Sequence, residues 1–226
     1  MGTALDRLKV IQERIGKAAD RAHRKSEEIT LVAVTKNVPF DNVIPFINAG
    51  IHHFGENRVQ EALSKYQNPD GSKPAETTLH LIGPLQSNKA KKAVAFFDLI
   101  QSLDRWDLAE DVNRHAAALG KVQDCLIEVK VSEESTKSGL APEAFPELLE
   151  RLASLSNLRV RGVMGIPPAS ATGATARPYF LRLRRLFEAS KLEILSMGMS
   201  SDFETAIEEG STMVRIGTAL FGPREG

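Results

Sequence analysis

Apolar positions open the chain at helical spacing. Leu5, Leu8, Ile11, Ile15, Ala18 and Ala22 form one stripe through an otherwise charged segment, which predicts an amphipathic helix packed on the rest of the molecule. Thr3 followed by Asp6 has the pattern of its start cap. The period then changes. Residues 31–35, LVAVT, are a continuous apolar and β-branched run of the kind a buried strand requires. From there strand-like and helix-like segments alternate. Strands are predicted at 31–35, 52–55, 79–82, 98–102, 125–131, 159–164, 192–196 and 214–216. Helices are predicted between them at 41–49, 58–66, 88–96, 104–119, 142–155, 179–189 and 201–209.

Punctuation agrees with this division. Gly50 and Gly120 fit just past helix ends. Asn57 with Gln60, and Ser201 with Glu204, have the spacing of capping boxes, and Asp104 can start the helix that follows it. Segments 67–77, QNPDGSKPAET, and 167–178, PPASATGATARP, read as loops. Strict alternation of strand and helix implies a parallel sheet. Eight such units predict a closed (β/α)8 TIM barrel with an extra N-terminal helix, somewhat shorter than the usual length of about 250 residues. The rival is an open doubly wound sheet. No linker divides the chain and no internal repeat is visible, so a single domain over residues 1–226 is expected.

Composition removes several classes of function. The formal net charge is zero, so no basic field argues for nucleic acid. The one cysteine, Cys125, allows no intramolecular disulfide and no multi-cysteine metal site; in the run CLIEV it reads as a small buried hydrophobe. No apolar run approaches the roughly 18 residues that span a membrane. Charges interrupt the N-terminus throughout, and Asp6, Glu13 and Asp20 argue against a mitochondrial presequence. A cytoplasmic protein is expected.

In such a barrel, chemistry sits at the C-terminal ends of the strands, and the loops after strands 7 and 8 often hold a phosphate. Strand 1 ends at Lys36, strand 2 at Asn57, and strand 3 carries His80. Strand 5 runs into VSEESTKSG with Lys137, strand 7 into SMGMSS, and strand 8 into RIGT. SMGMSS and RIGT place Gly198, Ser200, Ser201 and Gly217 where backbone amides can face an anion. Each segment alone also reads as a capped helix or a turn glycine; the two together favour a phosphate site. A lysine across a barrel mouth from a phosphate suggests a Schiff base, because burial keeps part of the amine neutral and nucleophilic. Two chemistries fit: a sugar-phosphate aldolase, or pyridoxal 5′-phosphate (PLP) held on the lysine.

The motifs LVAVTK, FGENRVQE, HLIGPLQSNK, STKSG, RGVMGI and SMGMSSDFETAIEEGSTMVRIGTALFG resemble the YggS/PROSC family of PLP-binding proteins, from about Leu31 to Arg224. The resemblance implies a barrel similar to the N-terminal domain of bacterial alanine racemase, with PLP as an internal aldimine on Lys36. It implies that Ser200, with main-chain groups of Met199, Gly217 and Thr218, holds the phosphate, and that Arg215 faces the pyridine nitrogen. Asn57 would lie near the ring, or cap its helix. His80 reads as a packed strand histidine rather than a proton shuttle. Lys89, Lys91 and Lys92 read as a solvated helix face. Lys137 is either a loop charge or a relay that reaches the cofactor.

The same resemblance raises the question of turnover. Arg215 stays protonated and cannot stabilise a pyridinium, although alanine racemase has an arginine there too. Racemase-like enzymes add a second domain carrying a catalytic tyrosine, and this chain stops after its last strand. Tyr66 and Tyr179 both read as helical. The expectation is a monomeric PLP carrier or regulator of the vitamin B6 pool, without efficient catalysis, that meets apo PLP-dependent enzymes transiently. A weak racemase-like enzyme is the alternative, and a Schiff-base aldolase the third reading.

Overall fold

A computed structural model describes residues 3–132 and 138–222. Among these residues eight short parallel strands close on themselves in chain order, so the open-sheet alternative is excluded. They are β1 (Thr30–Val34), β2 (His53–Glu56), β3 (Thr78–Leu81), β4 (Leu99–Leu103), β5 (Gln123–Glu128), β6 (Leu158–Met164), β7 (Ile194–Ser196) and β8 (Met213–Ile216). Closure is made by β8 pairing with β1, with Val32 opposite Arg215 and Ala33 opposite Ile216. The helices outside are α1 (Ala4–Arg21), α2 (Ile44–Asn48), α3 (Val59–Tyr66), α4 (Ala90–Phe96), α5 (Trp106–Ala118), α6 (Phe145–Leu152), α7 (Arg177–Ser190), α8 (Phe203–Glu208) and α9 (Thr218–Phe221).

Period-2 alternation sorts the strand side chains into two layers. Val32, Leu99, Leu126, Met164 and Met213 pack together on one side of the strands, with Ile166 and Ile194 against them; this is the barrel interior. Ala33, Phe54, Leu79, Leu81, Ile100, Ile127 and Val214 belong to the larger core under the helices. Cys125 lies in that outer layer, fully buried, and burial pushes its thiol up, as suits an inert hydrophobe.

The first helix forms as its stripe predicts, with Thr3 and Asp6 making a reciprocal cap. Leu8, Ile11, Ile15, Ala18 and Ala19 are its buried residues, and it packs on α8 and α9. Arg14 pairs with Glu204 and Arg21 with Glu208, which fastens α1 to α8.

Three caps are not formed as the sequence suggests. Arg58, not Asn57, precedes α3, with no side-chain cap. Asp202 precedes α8, and Glu204 goes to Arg14 instead of closing a box with Ser201. Arg105 precedes α5, and Asp104 pairs with it. In the second case a tertiary partner outcompetes the local one, because Arg14 offers the Glu204 carboxylate two donors and an opposite charge where the backbone cap offers one N–H. Helices predicted from 41, 88 and 142 begin with a 3-10 turn (Phe40–Asn42, Ser87–Lys89 and Pro142–Ala144) before the α-helical turns, and β5 ends at Glu128 rather than 131.

Among the described residues no helix is long and apolar enough to cross a membrane. No group of three or more histidine, cysteine, aspartate or glutamate side chains among them is placed to hold a metal.

Candidate functional site

Lys36 follows from the alternation along β1. Val32 packs in the barrel interior, so two and four residues on, Val34 and Lys36 share that inner face at the C-terminal rim. Both line a cavity of about 510 Å³, a volume in the range of small-molecule sites of about 300–1,000 Å³. The other lining residues are Asn57, Ile82, Ile166, Met199, Ser200, Ser201, Arg215, Gly217 and Thr218. Lys36, Asn57, Met199, Ser200, Arg215, Gly217 and Thr218, singled out in the sequence, are therefore brought around one space by β1, β2, β7 and β8.

The β7–α8 loop is built for close packing. Gly198 has φ +96°, and a Cβ there would stand 2.6 Å from the Ala206 Cβ, so only glycine fits. Asp202, buried, accepts from the Met199 amide at 2.6 Å and holds the loop in shape. Burial raises its carboxyl, while that amide and the Arg215 charge oppose the rise. Ser200 Oγ accepts from the Ala219 amide at 3.3 Å, which ties this loop to the one after β8. The first amides of a helix have no partner within it, and here the starts of α8 and α9 converge on the same rim. Across the cavity, Gly83 lets Asn57 in: a Cβ at 83 would stand 2.4 Å from the Asn57 carbonyl oxygen.

Arg215 is buried on the floor. Its guanidinium donates to Ser196 Oγ at 2.6 Å and to the Gly165 carbonyl at 3.1 Å. Burial pushes its pKa down to about 10, against the pull of Glu128 and Asp202, so it remains a cation at neutral pH. Beneath it a polar chain crosses the barrel. Ser196 Oγ donates to Gln101 Oε1 at 2.7 Å, Gln101 Nε2 meets His80 Nδ1 at 2.9 Å, and His80 Nε2 meets His53 Nδ1 at 2.9 Å. His80 is thus a packed interior histidine and does not line the cavity.

Ser196, Gly165 and Asp202 escaped the sequence reading, as did the apolar walls Ile82 and Ile166. For the walls and Ser196 a signal existed: each falls on an inward position of its strand or just past the strand end. Lys91 and Lys92 are exposed and Lys89 half-buried, as for a solvated helix face. Lys137 lies outside the described residues.

A family model described as "Alanine racemase, N-terminal domain" matches residues 7–225. The pyridoxal phosphate homeostasis protein of Aquifex aeolicus is 45% identical over 228 residues, covering 98% of this chain and 99% of its own. That of Escherichia coli K12 is 38% identical, covering 96% and 95%. Among solved structures, PipY of Synechococcus elongatus with PLP bound is 36% identical, with a TM-score of 0.84 over 97% of this chain and 100% of its own. Alanine racemase of Clostridium difficile shares the fold at 15% identity, with a TM-score of 0.71 over 58% of that longer chain. The chain belongs to the alanine racemase N-terminal domain family, and within it to the pyridoxal phosphate homeostasis proteins.

Proposed function

We propose that this protein binds PLP in the rim cavity, with Lys36 as the attachment amine, and serves vitamin B6 homeostasis as a carrier or regulator rather than a catalyst. The observation that carries this reading is the donor set of one cavity: an amine, a buried guanidinium, a serine and two loops of backbone amides, with apolar walls from Val34, Ile82 and Ile166. The relative of known structure with PLP bound supports it over the aldolase reading.

The bound group supplies an aldehyde, which condenses with a primary amine with loss of water. Lys36 supplies that amine from the end of β1. Ser200 and the amides of Gly217 and Thr218 would hold the phosphate through charge-assisted hydrogen bonds, while the Met199 amide, already bonded to Asp202, keeps their loop in shape. Arg215, a donor only, faces a ring nitrogen that carries no proton. Val34, Ile82 and Ile166 keep water from the ring faces.

Acid–base turnover needs a positioned proton donor or acceptor beside the reacting carbon. Among the described lining residues only Lys36 and Arg215 are titratable side chains. Tyr66 is buried on α3 with its phenol on Thr35, and Tyr179 sits on α7; neither lines the cavity. That supports holding the cofactor over transforming amino acids; transient delivery to apo-enzymes is part of the same proposal. Borohydride reduction of the PLP-loaded protein and peptide mapping tests the site: label on Lys36 is expected, and label only on other lysines defeats the assignment. Amino-acid racemisation at enzyme-like rates would defeat the carrier reading.

A further inference from the structure

Lys65 and Glu61 stand one turn apart on α3, a spacing that ordinarily gives an exposed pair of little consequence. Here the Lys65 side chain is only 9% exposed and its second partner, Glu56 at the end of β2, is wholly buried. All three ammonium donors are used. Lys65 Nζ donates to the Thr35 carbonyl at 2.5 Å, to Glu56 Oε1 at 2.7 Å and to Glu61 Oε1 at 3.0 Å. Glu61 Oε1 in turn accepts from the Asn37 amide at 2.5 Å. The two peptide units flanking Lys36 are therefore tied to one ammonium, one directly and one through Glu61.

A third tie reaches the same place. Thr35 Oγ1 donates to Glu56 Oε1 at 2.7 Å, so the Tyr66 hydroxyl, 2.7 Å away, is the donor to Thr35. Thr35 points away from the barrel axis, as its neighbour Lys36 points towards it. The network is thus behind the strand that presents the amine, and none of Glu56, Glu61, Lys65 and Tyr66 lines the cavity. The backbone it grips has a sharp bend: Asn37 has φ +58°, in the left-handed region that asparagine tolerates better than most residues. Burial raises the Glu56 carboxyl, against Lys65 and Thr35, and Glu56 Oε2 is buried without a hydrogen bond. Docking α3 alone needs no such arrangement, since buried ion pairs are often replaceable by apolar side chains without loss.

We propose that Lys65 is a positioning residue for Lys36: held by Glu56 and Glu61, it locks the peptide units on both sides of Lys36 and so sets where that amine stands in the cavity. This rests on the reading of Lys36 as the attachment amine. Attack on an aldehyde demands near-contact geometry, and a displacement of about 1 Å can cost about 100-fold in rate. Lys65 acts on covalent capture, not on recognition of the phosphate or ring.

The test separates those two steps. Wild type, Lys65→Met and the charge-balanced double variant Glu56→Gln/Lys65→Met are compared for the rate of adduct formation with PLP, read by visible absorbance. In parallel they are compared for affinity towards pyridoxine 5′-phosphate, an alcohol that cannot form the bond. The expected result is a fall of about 10- to 100-fold in adduct rate in both variants, with pyridoxine 5′-phosphate affinity within about twofold of wild type and a shifted pH titration of the absorbance band. Unchanged adduct rates overturn the inference alone. Parallel loss of rate and of pyridoxine 5′-phosphate affinity also overturns it, since Lys65 would then merely hold the pocket's shape. Failure of both variants to fold overturns it too, because the network would be holding the barrel. Absence of any adduct on Lys36 in folded wild type defeats the underlying reading and this inference with it.

Discussion

Arg215 and Ser196 share a 2.6 Å hydrogen bond inside the barrel, and it sets the direction of every bond below it. The guanidinium can only donate, so Ser196 accepts from it and gives its own proton to Gln101 Oε1. Gln101 then donates to His80 Nδ1, and His80 carries its proton on Nε2, towards His53. Ser196→Ala removes the hydroxyl that satisfies both neighbours. It leaves a buried donor and a buried acceptor unmatched, which costs about 1–3 kcal/mol. A lowered urea midpoint with unchanged slope checks this.

Acid should loosen the same chain. Burial, with the neighbouring His53 and the more distant Lys73 adding to it, brings His80 from an ordinary 6.5 to about 3. The folded protein refuses a proton that the unfolded chain accepts. Stability from this group is therefore fully present above pH 6.5 and is lost as pH falls towards 3, at about 1.4 kcal/mol per pH unit. His53, lowered chiefly by burial, adds in the same direction. Glu56 and Glu128, raised chiefly by burial, act oppositely. The measurement is thus a difference: His80→Gln should flatten the stability–pH curve between pH 4 and 6.5 relative to wild type. Parallel curves would place the acid sensitivity elsewhere.

Lys36→Ala should abolish the visible band of the PLP-loaded protein while leaving weak, phosphate-dependent binding. Equilibrium dialysis beside absorbance measures both. A retained band would mean that a different amine holds the cofactor.

Ser200→Ala should weaken PLP binding by about 1.5–3 kcal/mol, roughly 10- to 150-fold, if its hydroxyl bonds the phosphate. Gly198→Ala should act through shape instead. Its φ of +96° and the 2.6 Å approach to Ala206 strain any side chain, so loss of affinity should come with a lower melting temperature. Intact affinity in both variants would move the phosphate off this loop.

Most of the architecture could be read in advance because two periods carry it: the α1 stripe at 3.6 and the strand alternation at 2. Lys36 was visible for the same reason, as the polar residue where an apolar strand reaches the rim. The failures have one physical cause. Asn57, Ser201 and Glu204 match local capping patterns, yet Glu204 serves Arg14 on a helix almost two hundred positions away. Ser196 and Gly165 become supports for Arg215 only when β6, β7 and β8 lie side by side. Nothing local distinguishes Lys65 from an ordinary surface lysine, because what buries it comes from β1 and β2.

The pairing of β1 with β8 joins the first strand to the last, and the cavity straddles that seam. Lys36 comes from one lip; Met199, Ser200, Arg215, Gly217 and Thr218 come from the other side. During synthesis β1 has no partner on that edge until nearly the whole chain has emerged, and until then no pocket exists. A ligand gripped by both lips acts as a clasp on the ring. Its binding adds to the stability of the closed ring, so the closed fraction would rise with cofactor concentration.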